Sequence, residues 1–103
     1  SIEKFIENAV YLHLVRLGFE VTVGYVQKSE IDFVAIKQNR VVYVQVTYQL
    51  ASEETILREF GNLQLIKDNY PKYVVSMDEL YDKSDYAGIK HVHLRKFLLM
   101  KDL

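Results

Sequence analysis

Glu30-Ile31-Asp32-Phe33-Val34-Ala35-Ile36, then Lys37-Gln38-Asn39-Arg40, then Val41-Val42-Tyr43-Val44-Gln45-Val46-Thr47: this stretch decides the fold. Two runs rich in β-branched and aromatic residues flank a polar tetrapeptide, which is the pattern of a β-hairpin. A two-residue loop at Gln38-Asn39 and a four-residue loop over 37–40 give the same register. Ile36 then faces Val41, Val34 faces Tyr43 and Asp32 faces Gln45. Opposed residues share a face, so Asp32, Gln45 and Thr47 lie together, while Val44 and Val46 point the other way. Val41, Val42, Val44 and Val46 make the second strand apolar on both faces, as a central strand covered by helices should be. Asp32 is a lone charge in the run 31–36. A buried carboxylate without donors is costly, so either loop amides at a strand end meet it or it belongs to a site.

Working outward, residues 2–17 read as a helix. Ile2, Phe5, Ile6, Ala9 and Val10 recur at three-to-four spacing and give an apolar stripe. Ser1 suits the N-cap, Glu3 the positive helix end, and Gly18 the C′ position, with Phe19 folding back. Residues 19–26 supply a strand before the hairpin. After it, Ser52-Glu53-Glu54 opens a second helix with Ile56, Phe60 and Leu63 on one face. Pro71 is expected to end that helix. A short strand over 73–76, a loop or frayed helix over 78–88, a strand over 89–94 and a short helix over 96–100 complete the chain. The order α-β-β-β-α-β predicts an antiparallel meander and then a helical crossover to a strand parallel to the third. The expected class is α/β, a mixed sheet flanked by helices. No repeat or linker divides residues 1–103, so one domain is expected.

Composition excludes several functions. Half of the 103 residues are hydrophobic and 26% charged, which rules out disorder. No apolar run approaches the roughly 20 residues of a membrane-spanning helix. The absence of cysteine excludes a disulfide framework and thiolate zinc sites, and points to the cytoplasm. A net charge of −1 gives no general attraction to nucleic acid. With Ser1 in first place and no signal peptide, the sequence reads as an excised domain.

The residues resemble a known superfamily. A glutamate on the first helix, an aspartate on the second strand and a Glu-x-Lys pair on the third are the signature of PD-(D/E)XK nucleases, which include restriction endonucleases. Here Glu7, Asp32 and the segment Gln45-Val46-Thr47 occupy those places. More closely, the chain is similar to the C-terminal domain of unknown function found on prokaryotic AAA-type P-loop ATPases. The resemblance runs through Gly18-Phe19-Glu20-Val21, Glu30-Ile31-Asp32-Phe33-Val34-Ala35, Tyr43-Val44-Gln45-Val46, Arg58-Glu59-Phe60 and 66–74. It implies a restriction-endonuclease-like fold, an ATPase domain preceding this one in the same chain, and DNA as a candidate partner. It also maps catalytic positions onto Glu7, Asp32, Gln45 and Thr47, with Mg²⁺ ligands at Glu7, Asp32 and Gln45.

The chemistry of that site is altered. Metal-dependent cleavage needs hard oxygen ligands and a cation near the attacking water. Gln45 coordinates only through a neutral carbonyl, and Thr47 carries no charge. Losing one well-placed stabilising group typically costs hundreds-fold in rate, so a catalytically degenerate module that takes no cofactor is expected. The alternative is an active Mg²⁺-dependent endonuclease using Glu7, Asp32 and Gln45, with Lys28 or Arg58 as a relocated cation. Other chemistry is weaker. His91 and His93 share a strand face, but no third metal ligand has a recognisable spacing. His13, beside Leu14 and Leu17, reads as a packing residue. Tyr43 and Tyr73 lie in strands and read as packing rather than base-stacking groups. Lys67, Lys72, Lys90, Arg95, Lys96 and Lys101 bias the second half towards positive charge, with acids interleaved.

Overall fold

Ser1 opens the first helix by accepting the Lys4 amide on its hydroxyl at 3.4 Å. In the computed structural model, which describes residues 1–103, that helix is α1, Ile2–Arg16. It closes as its glycine requires. Gly18 sits at φ +97°, its N–H donates to the Val15 carbonyl, and the Phe19 N–H donates to the Leu14 carbonyl. This paired closure satisfies carbonyls that the helix end would otherwise leave free. The buried side of α1 is Ile6, Val10, His13 and Leu14. Ile2 and Phe5, expected on the inner stripe, are exposed. Apolar residues occur on every side of this helix, so spacing alone did not choose its inner face.

The strands are β1 (Glu20–Val26), β2 (Ser29–Lys37), β3 (Arg40–Thr47), β4 (Lys72–Ser76), β5 (Asp85–Tyr86) and β6 (Ile89–His93). They form one mixed six-stranded sheet in the order β1-β2-β3-β4-β6-β5. β1, β2 and β3 are an antiparallel meander, and Ile36↔Val41 and Val34↔Tyr43 match the register expected for the hairpin. The helix α2, Glu53–Gln64, carries the chain across so that β4 lies parallel to β3. β6 is parallel to β4, and α3, Leu94–Leu99, follows it directly.

Two apolar layers enclose the sheet. On one face Ile6, Val10 and Leu14 of α1 and Phe97 of α3 meet Val42, Val44, Val46 and Tyr73. On the other, Phe60 and Leu63 of α2 meet Ile31, Leu50, Val74 and Ile89. His13 joins α1 to the end of α3. Its Nε2–H donates to the Met100 carbonyl at 3.0 Å, its Nδ1 accepts from the Arg16 guanidinium, and its ring meets Phe97 edge-on.

Two boundaries differ from expectation. α2 stops at Gln64, with Leu65 as its C-cap, so Pro71 does not end it. Residues 65–71 instead form a connection in which the Asp68 carboxylate gathers the Tyr43 hydroxyl, the Tyr70 amide and the Lys72 ammonium. The segment 78–88 is not all loop. Asp85–Tyr86 is a strand paired with β6 through a tight turn, with Ala87 and Gly88 at φ +51° and +86°. No helix is long and apolar enough to cross a membrane.

Candidate functional site

The site is built on an irregularity. Between β1 and β2 the pairs Thr22↔Val34 and Gly24↔Ile31 enclose one residue on β1 but two on β2, so Asp32 and Phe33 form a β-bulge. Gly24 is required opposite it, because a Cβ there would lie 2.4 Å from Val34 Cγ2. On its other side the β2–β3 ladder runs only as far as Phe33↔Val44. Beyond that point, side chains take over the backbone bonding. Gln45 Oε1 accepts the Asp32 N–H at 2.8 Å, and Asp32 Oδ2 accepts the Val46 N–H at 2.8 Å. Each strand end thus satisfies a donor on the other, which buried backbone groups require.

Gln45 is 3% exposed and Asp32 half-buried. Burial is the main reason that Asp32's pKa is pushed up to about 6, opposed by the Val46 amide and reinforced by the carboxylates of Glu7 and Glu30. Glu7 stands on the half-buried margin of α1, 4.0 Å from the Lys4 ammonium. Thr47 continues the face of Gln45, but its hydroxyl turns to the Gln49 carbonyl at 3.4 Å.

A further acid belongs to this group. Glu59 on α2 is only 9% exposed and sits between Ile56, Phe60 and Leu63 on the helix's inner stripe. Burial first, and then the Asp32 charge, push its pKa up to about 7. Arg58 opposes this, with Nε 3.4 Å from Glu59 Oε2. Glutamate on a helix is ordinarily read as solvent-facing, so sequence reasoning passed over it. The available signal was its spacing, three residues after Ile56 and four before Leu63. Of the two cations considered from sequence, Arg58 reaches Glu59, whereas Lys28 lies in the turn between β1 and β2.

Glu7, Asp32 and Glu59 therefore form a semi-buried acidic group in which Asp32 and Glu59 hold their protons towards neutrality, a feature of sites and of structural networks alike. Its donor set does not fit a tightly held Mg²⁺. The only side-chain carbonyl of Gln45 is engaged by an amide, and one oxygen of Asp32 is likewise engaged. No three His, Cys, Asp or Glu side chains gather at metal-binding geometry.

Two other places were singled out by residue type. His91 Nδ1 faces the Lys83 carbonyl, so that nitrogen carries the proton and Nε2 accepts from the Ser76 hydroxyl at 2.8 Å. His93 Nδ1 accepts the Arg95 N–H, and its Nε2 lies 3.2 Å from Glu79. Both rings are thus engaged with the protein. The largest cleft, about 640 Å³, lies away from the acids, between the end of α2, the 65–71 connection and the β5–β6 turn. Lys72 in its wall is consumed by the Asp68 carboxylate and by the Asp68 and Tyr70 carbonyls.

The molecule is thus a mixed α/β domain whose polar irregularity lies at the β2–β3 junction, under α2 and beside α1. No family model matches the chain. It is similar to an uncharacterised protein of Haemophilus influenzae, 37% identical over 94 residues. Those residues are 91% of this chain and 22% of the relative, so the chain spans about a fifth of that protein's length.

Proposed function

We propose that this domain is a restriction-endonuclease-like module of a longer polypeptide, an AAA-type ATPase, and that its inherited PD-(D/E)XK site serves as a structural joint rather than a catalyst. Its role is then to contact DNA or another domain. The observation that carries this reading is the exchange of bonds between Asp32 and Gln45. The two side chains that a nuclease would turn towards metal are here turned towards the backbone of the opposite strand. Thr47 adds no charge where the mechanism needs a cation, and its hydroxyl is engaged with Gln49.

The test is cleavage of plasmid, linear, single-stranded and branched DNA with Mg²⁺ or Mn²⁺. The purified domain should leave all four intact. Metal-dependent cleavage that vanishes in Asp32→Ala would overturn the proposal. One observation favours the alternative of an active endonuclease: Arg58 stands beside Glu59 at the margin of the acidic group. In that case Arg58→Ala would abolish the same cleavage.

A further inference from the structure

α1 carries apolar side chains on both of its sides. Ile6, Val10 and Leu14 are fully buried against the sheet, yet Phe5 and Leu12 remain 64% and 59% exposed, and Tyr11 and Val15 are exposed as well. At about 100° per residue, Phe5, Leu12 and Val15 fall within one outward sector of the helix. The edge strand β1, which packs against α1, extends this surface. Val21 belongs to the core on α1's side of the sheet, so Val23 and Tyr25 share that side by alternation, and both are exposed. Isolated exposed apolar residues such as Leu80 need no explanation, but several on one sector of a helix do.

We infer that the outward face of α1, with Val23 and Tyr25 of β1, is a docking surface for another part of the same longer polypeptide. The occupant is an apolar element from the sequence that these 103 residues lack. The argument for an occupant in the same chain is length: nearly four-fifths of the Haemophilus influenzae relative lies outside the matched segment. A tethered element binds at high effective concentration, so a patch of this modest size suffices. A separate stable partner needs an interface above about 1,000 Å². This inference rests on the reading of the domain as a module of a larger protein, and it is independent of whether the module cuts DNA.

Hydroxyl-radical footprinting tests it, because the readout is side-chain exposure, normalised to each residue's intrinsic reactivity. In the 103-residue chain, Phe5, Tyr11, Leu12 and Tyr25 should oxidise readily at all protein concentrations. In the full-length relative, the segment aligned with residues 10–16 should be protected several-fold, and the segment around the position of Leu80 should not. Equal oxidation of the helix in both proteins overturns the inference. So does concentration-dependent protection in the 103-residue chain, which would assign the face to a second copy. DNA cleavage by either sample would overturn the catalytic silence proposed above and leave the footprint result standing.

Discussion

Replacing Glu59 by glutamine should make this protein more stable at alkaline pH and leave it unchanged in acid. In the fold the Glu59 pKa is raised from 4.5 to about 7, because burial and the Asp32 charge disfavour ionisation. Between those two values the folded state retains a proton that the unfolded chain has already released, so stability falls as pH rises. Below about 4.5 both states are protonated and the penalty is absent. Above about 7 it is complete. At about 1.4 kcal/mol for each pH unit, the interval sets a bound of about 3 kcal/mol. Losing the pairing with the exposed Arg58 subtracts a few tenths, which leaves about 1–3 kcal/mol. For a domain of this size, each kcal/mol is worth about 4–8 °C in Tm. Urea melts of the parent and Glu59→Gln from pH 4 to pH 8 give the comparison. Curves that stay parallel across that range, or a variant that is less stable at pH 8, would refute the placement of Glu59 as a buried, charge-strained acid.

Gln45→Ala should cost about 1–3 kcal/mol in the same assay, because it leaves the Asp32 N–H without its acceptor in a closed environment. Gly24→Ala should cost about 1–3 kcal/mol through overlap with Val34, and adding Val34→Ala should recover part of it. Calorimetric titration with Mg²⁺ or Mn²⁺ should show no tight binding. A strong heat abolished by Asp32→Ala would show that the Asp32–Gln45 bonds yield to metal.

Much of the frame was legible in the residues. Gln38-Asn39 between two β-rich runs fixed a register that pairing of Ile36 with Val41 bears out, because any even-length loop there gives the same faces. Gly18 marked the helix end because its positive φ suits no other residue as well. What remained hidden depended on tertiary context. The outward position of Phe5 was invisible because α1 is apolar on both sides. The bulge at Asp32-Phe33 was invisible because it arises from the mismatch between two strands and from neither alone. Glu59 was overlooked because its type argued for solvent and only its spacing argued for burial. α2 ends at Gln64, well ahead of Pro71, whose carbonyl instead accepts the Tyr43 N–H where β4 joins β3.

The topology also orders events during synthesis. β1, β2 and β3 are joined by two-residue turns, so the meander needs nothing made later, whereas β4 must wait for residues 48–71 to pass over the sheet. A hairpin closes in microseconds, far faster than a ribosome adds one residue. The Asp32–Gln45 exchange needs only residues 32–46, so nothing in the topology makes it wait for α2 to cover the sheet. Of the three acids, Glu59 is the last in the chain, on the helix that covers the site. The strain of confining like charges is then a property of the finished molecule and not of its nascent half, so relieving it should slow unfolding more than it hastens folding.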